Sequence, residues 1–186
     1  MEAGLIFIDA CPSDAAAVAA LVNQAYRGAG GEGGWTNEQA LIEGPRTSEK
    51  GVQALIARGR VVLLRETDDG AIVGCINVAV DEDGAWHTSM LAVNPDVQTA
   101  GAGKAIKQEI ERQARAAGAT RMRMEVIGER TDLVAWHRRR GYVATGVVLP
   151  FPYDDPSVGQ PLRPGLELIV MEKDLTLSSD AIDQSS

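Results

Sequence analysis

The segment Gln98-Thr99-Ala100-Gly101-Ala102-Gly103-Lys104 constrains this chain most, because it joins an apolar run to an amphipathic one through a turn almost without side chains. Ser89 to Val93 reads as a strand ending at Asn94-Pro95, and Lys104 to Arg115 carries Ala105, Ile106, Ile110 and Ala114 at helical spacing. A helix therefore starts inside the glycine turn. Its unpaired N–H groups and positive dipole end attract an anion, and Gly101 and Gly103 lack the Cβ atoms that would keep a pyrophosphate from the backbone. Two other phosphate loops fail on spacing. A nucleotide-triphosphate loop needs Gly at position 98 and Ser or Thr at position 105, where this chain has Gln98 and Ala105. A dinucleotide fingerprint needs Gly where Ile106 stands.

The rest of the chain reads as alternating elements of an α/β domain. Leu5 to Asp9 is a first strand; Ser13-Asp14 is an N-cap for a helix burying Ala17, Val18, Leu21, Val22 and Ala25, which Tyr26 closes. Arg27 to Gly34 holds five glycines in eight residues, the composition of a mobile lid, and Trp35-Thr36-Asn37-Glu38 offers a capped helix start at Thr36 or Asn37. A short helix over Ser48 to Arg58 precedes three strands, Val61 to Glu66, Ala71 to Val80 and Ala85 to Val93, joined by acidic glycine turns. After the loop helix come a strand at Arg121 to Ile127, a helix at Asp132 to Arg140, and strands at Tyr142 to Leu149 and Leu166 to Leu175. This order predicts one domain over residues 1–177, and a polar, disordered tail over 178–186.

Charge and cysteine content narrow the partners. A formal net charge of −8 excludes a general nucleic-acid surface and suits cationic or amine ligands. Leu5-Ile6-Phe7-Ile8 is too short for a signal sequence or membrane span, and the residues before it lack a basic start, so a cytoplasmic protein with no membrane partner is expected. Cys11 and Cys75, far apart, suggest neither a metal site nor a disulfide framework.

Two motifs carry a resemblance. The pattern Q-x-x-G-x-G between strand and helix resembles the acyl-coenzyme A motif of the GNAT superfamily of N-acetyltransferases. The later run Met124-Glu125-Val126, followed by Ala135-Trp136-His137-Arg138-Arg139-Arg140-Gly141-Tyr142, resembles that family's L-E-V strand and A-x-Y-x-x-x-G-F helix end. As an order of elements the likeness runs from about Leu5 to Leu175. It implies a GNAT fold, a mixed central sheet of about seven strands flanked by helices, and acetyl-CoA as acyl donor. It further implies that Gln98 and the N–H groups from Thr99 and Ala100 through Gly101, Ala102, Gly103 and Lys104 hold coenzyme phosphates; of the basic run Arg138 to Arg140 at most one, such as Arg138, reaches the adenosine phosphate, a solvated helix face being the competing reading. Main-chain groups of Leu91, Ala92 and Val93 would pair with the pantetheine arm in a gap between splayed strands.

One departure from the family pattern matters greatly: His137 stands in place of the usual tyrosine general acid. A histidine can donate a proton near neutral pH; His137 can equally be a partly buried residue beside Trp136. Glu125, twelve residues earlier, matches a family base; a structural ion pair with Arg123 or a helix arginine is the competing reading. His87 is a reserve base, placed by strand parity with Ser89, Leu91 and Val93, or else a satisfied sheet residue. Tyr26, Trp35 and Glu38 on one side, and Phe151, Tyr153, Asp154 and Asp155 on the other, fall in regions that wall the acceptor pocket in this family; the second group reads equally as a proline-stiffened surface loop. These residues predict an N-acetyltransferase acting on a primary amine, a small molecule or amino-acid derivative, in a ternary complex. The alternative is a non-catalytic acyl-CoA sensor with the same fold. A homodimer through the exposed final strands is expected by analogy.

Overall fold

A computed structural model of the chain describes residues 5–28, 37–96 and 101–177. Seven strands form one mixed sheet: β1 (Ile6–Asp9), β3 (Arg60–Arg65), β4 (Ile72–Val80), β5 (Trp86–Val93), β6 (Arg121–Ile127), β9 (Glu167–Asp174) and β7 (Val143–Pro150), in that spatial order. A second, two-stranded ladder pairs β2 (Ile42–Glu43) with β8 (Gln160–Pro161). Every neighbouring pair in the large sheet is antiparallel except β5 and β6. The fold matches the expected α/β class, strand for strand along the large sheet.

Both faces of the sheet are covered, which is why β3 and β4 read as nearly unbroken apolar runs. On one face, helix α1 (Ala15–Arg27) packs Val18, Leu21, Val22 and Ala25 against Leu63, Cys75, Met90 and Ala92, joined by Val52 of α2 (Glu49–Arg58). On the other, α3 (Ala102–Ala116) sets Ile106, Ile110 and Ala114 on Leu64, Ile76 and Met122, with Val134 of α4 (Thr131–Arg138) alongside. The close seating of α3 depends on Gly74. A Cβ there would meet Ile106 Cδ1 at 2.7 Å and the Ala92 carbonyl oxygen at 2.8 Å.

Several local expectations are corrected. Ala17 is exposed, because the buried stripe of α1 runs through Ala15 and Val18 instead. Asp14 does not cap that helix through its side chain; its carboxylate accepts from the Cys11 N–H and pairs with Arg65. No helix starts at Asn37. Its side chain accepts from Gln39 N–H, the Leu41 and Ile42 amides return to the Glu38 carbonyl, and the chain extends into β2. Ser48 does cap α2, accepting from Gly51 N–H at 3.1 Å. Trp35, Thr36, Gln98, Thr99, Ala100 and the tail lie outside the described residues.

Candidate active site

The site is built where the sheet opens. Strands β5 and β6 run parallel and are paired at Trp86–Met122 and His87–Arg123; beyond these positions the ladder ends, so the flank of β5 from Thr88 to Val93 faces β6 without ladder partners. A β-bulge adds to the opening. The β4–β5 register shifts between Cys75–Ala92 and Asn77–Ser89, and Met90 takes φ +56°, an unusual conformation for a residue with a long side chain. The bulge also reverses strand parity. Trp86, Leu91 and Val93 pack on the α3 face while Met90 and Ala92 pack on the α1 face, so His87 does not share a face with Leu91 and Val93 as simple alternation predicts.

A cavity of about 190 Å³ occupies this opening. Its lining includes Tyr26, Glu38, Arg46 and Phe151, the β5 and β6 residues Ser89 to Leu91 and Met124 to Ile127, and Lys107, Leu133 and His137. Tyr26 is buried and donates its hydroxyl hydrogen to the Leu91 carbonyl at 2.9 Å, so that carbonyl is already engaged. Glu38 is paired with Arg27 at 3.1 Å. Tyr153 stands outside the cavity. Its hydroxyl donates to the Arg163 carbonyl and accepts from the Leu166 amide, pinning the loop, while its neighbours Phe151 and Pro152 form the wall. Asp154 and Asp155 are exposed and do not line the cavity.

The two rival bases are a pair. His87 Nε2 lies 2.6 Å from Glu125 Oε2, and His87 Nδ1 lies 3.4 Å from Asp81 Oδ1. The hydrogen bond to Glu125 raises the imidazole pKa above its usual value, against the opposing effect of burial. Arg123, on the same face of β6 as Glu125, is held instead by Asp83, Glu172 and Asp81 at 2.7, 2.6 and 2.8 Å, so Glu125 is not consumed by that arginine. Glu125 thus ends a hydrogen-bonded line that begins at Asp81.

His137 is buried at 5 % exposure on the inner side of α4, edge-on to Trp136 and Tyr142. Its Nδ1 is enclosed with no hydrogen-bond partner. Desolvation, with the charges of Lys107 and Arg140 behind it, holds the imidazole down to about 3, so the ring is neutral at physiological pH. Arg138 is exposed at the end of α4 and lies outside the cavity lining. Arg140 is committed to Trp136, 3.5 Å from its ring centroid and bonded to its carbonyl.

At the N-terminus of α3, Gly101 adopts φ +92°, and the first helical bond runs from Ala105 N–H to the Gly101 carbonyl. The amides of Ala102, Gly103 and Lys104 therefore have no acceptor within the helix. A side chain at Gly101 would meet open space but would strain the backbone. Lys104 is exposed.

Lys107 escaped the sequence reading. It lies among Gly103, Ile106, Ile110, Glu111 and Ala114, the buried stripe of α3, so its position at helical spacing was the signal that could have found it. Glu111, one turn later, was hidden in the same way.

A family model described as Acetyltransferase (GNAT) family matches residues 35–142. An IAA acetyltransferase of Azospirillum brasilense is 26 % identical over 104 residues, 55 % of this chain and 68 % of the relative. An amino-acid acetyltransferase of Azotobacter vinelandii is 35 % identical over 107 residues, 53 % of this chain but 23 % of that longer protein. The Salmonella typhimurium protein yncA, whose structure holds its cofactor acetyl-CoA, has the same fold, with TM-score 0.65 and 19 % identity over 95 % of this chain and 96 % of its own.

Proposed function

The chain belongs to the GNAT acetyltransferase family, and from that premise we propose that it moves the acetyl group of acetyl-CoA to the primary amine of a small molecule or amino-acid derivative, by direct attack in a ternary complex. The observation that carries the reading is the opening between β5 and β6 and the cavity there, whose lining includes both Glu125, the partner of His87, and the buried His137. Acetyl-CoA would supply the activated thioester. The residues present fit it. The amides of Ala102, Gly103 and Lys104, without acceptors in the helix and next to a positive-φ glycine, suit phosphate oxygens, the β5 flank from Leu91 to Val93 suits an extended amide-bearing arm, and His137 Nδ1 is a buried polar atom with no hydrogen-bond partner among the described residues. Gln98, Thr99 and Ala100, which precede this helix start, complete the proposed phosphate loop.

Glu125 takes a proton from the acceptor ammonium, directly or through water, and His87 and Asp81 behind it offer that proton a way to solvent. A neutral His137 cannot act as an imidazolium acid; it serves as a hydrogen-bonding group for the sulfur. Tyr26 and Trp35 belong to the acceptor side, with Phe151 taking the place expected for Tyr153. An amino-acid derivative is favoured by Arg46. Its side chain lines the cavity, with the guanidinium 5.4 Å from the Tyr26 ring centroid, and Asp155, the acid that feels its charge, lies beyond ion-pair distance. An acceptor carboxylate would complete that pair.

No helix among the described residues is long and apolar enough to cross a membrane, and the free thiols Cys11 and Cys75 accord with a reducing cytoplasm. The edge strand β7 exposes Val143, Val147, Val148 and Leu149, consistent with a homodimer, and light scattering should give twice the 19.7 kDa chain mass.

The test is a calorimetric titration of acetyl-CoA, followed by an amine screen that scores thiol release. Wild type should bind at one site and favour amines carrying a carboxylate. The Gly101→Glu, Gly103→Glu variant, folded by circular dichroism, should bind roughly hundredfold more weakly, since it loses charge-assisted hydrogen bonds and gains two repelling carboxylates. Equal affinity of the two proteins would remove the phosphate role from α3.

A further inference from the structure

Lys107 is 2 % exposed, the most enclosed of the charged residues described. Its ammonium has three hydrogens to place. Nζ donates to Thr88 Oγ1 at 3.2 Å and lies 4.5 Å from the centroid of the Tyr142 ring. Glu111, the nearby acid on the same helix, is committed elsewhere, accepting from Lys173 Nζ at 2.7 Å and from the Tyr142 hydroxyl at 3.2 Å. A cation this enclosed is costly as a structural element, because a leucine would fill the same stripe of α3 without desolvating a charge. Yet Lys107 lines the same cavity as His137, and both pack on Tyr142.

We propose that Lys107, which lines the cavity with His137 and packs on the same Tyr142 ring, is the proton donor to the departing coenzyme sulfur. This rests on the acetyltransferase reading above. As the amine nitrogen bonds to the acetyl carbon, the carbon–sulfur bond breaks and its electron pair goes to sulfur; Lys107 Nζ gives sulfur one proton and becomes a neutral amine. The acceptor ammonium loses two protons in becoming an amide, both by way of Glu125 and His87. One proton from solvent restores Lys107, so one is released overall. The groups facing Lys107 make the exchange feasible. Burial lowers the ammonium, Glu111 opposes that, and the like charge of Lys173 on β9 adds to it, bringing Lys107 to about 7. A donor near the working pH is the efficient one.

The test reads the sulfur as well as turnover. Free coenzyme A is titrated against wild type, Lys107→Met and Lys107→Arg, with thiolate ultraviolet absorbance followed against pH. With Nζ beside the sulfur the ammonium and the thiol titrate as a pair, so in wild type part of the bound thiolate should form as the pair gives up its first proton, at least one pH unit, tenfold, below free coenzyme A. Lys107→Met should lose that shift and about a hundredfold in kcat while its acetyl-CoA Kd stays within about threefold. Lys107→Arg keeps a positive charge that cannot give up its proton. It should keep the thiolate shift and still lose kcat. Wild-type kcat in Lys107→Arg overturns the proposal by itself, even if Lys107→Met fails to fold. An unshifted thiol in a wild type that turns over acetyl-CoA overturns it too and leaves the acetyltransferase reading standing. A wild type that binds no coenzyme overturns both.

Discussion

Glu125→Gln should lower kcat/KM by about 10²- to 10³-fold with acetyl-CoA affinity unchanged, the loss expected when a positioned general base is replaced by its isostere. The pH profile identifies the cause. In wild type, Glu125 and His87 share a proton at 2.6 Å, and the pair can accept another only after the imidazole has let its own go. Activity should therefore rise with pH through a value above that of an ordinary histidine, because the hydrogen bond to Glu125 raises His87. Glutamine removes that effect. The acid limb of the variant should move to lower pH, and the His87 ring proton resonances should titrate there as well. Stability follows the same linkage. A raised imidazole contributes in full below its unfolded value of about 6.5 and loses the contribution as pH rises through the folded value, so the variant should lose most stability on the acid side. An unchanged plateau and limb would leave Glu125 as a structural partner of His87.

What the sequence made legible depended on whether alternation was intact. The faces of β6 were readable because Met122, Met124 and Val126 alternate cleanly with Arg123 and Glu125, and the boundaries Arg121–Ile127 coincide with the predicted strand. In β5 the same arithmetic failed. The bulge at Met90 carries no glycine or proline to announce it, and Met90 to Val93 are apolar on both faces, so nothing in the pattern marks the point where parity reverses. The turn after Asn37 was misread as a helix for a related reason: Asx capping starts turns as well as helices, and β2 finds its partner in β8, more than a hundred residues away. At the site, motif spacing located His137 and Glu125 but could not show that Glu125 touches His87, since that contact depends on the two ladder pairs joining β5 to β6. Charge misled at Lys107, whose position on the α3 stripe pointed inward while its chemistry suggested water.

Glu111→Leu should destabilise the protein by roughly 3–5 kcal/mol, the cost of removing one partner from a buried charged set. For a chain of this size that is a fall in Tm on the order of 10 °C. Glu111 is enclosed by Lys107, Lys173 and the Tyr142 hydroxyl, and its loss leaves those groups unequally placed. Lys173, at 14 % side-chain exposure, is near enough to water to swing its ammonium outward. Lys107 cannot, being held inside α3 against Tyr142. At pH 5, where wild-type Lys107 is charged, most of the penalty should therefore reside in Lys107, and the double variant Lys107→Met, Glu111→Leu should recover more than half of it, because both buried charges are then gone and the stripe becomes apolar; at pH 7 Lys107 can shed its proton instead and the recovery should shrink. Urea unfolding of the wild type, the two single variants and the double variant closes the cycle. Additive losses would mean that Glu111 stabilises through Lys173 and Tyr142 alone. A recovered double variant would show that Lys107 is retained at a cost in stability, as a residue kept for its proton would be.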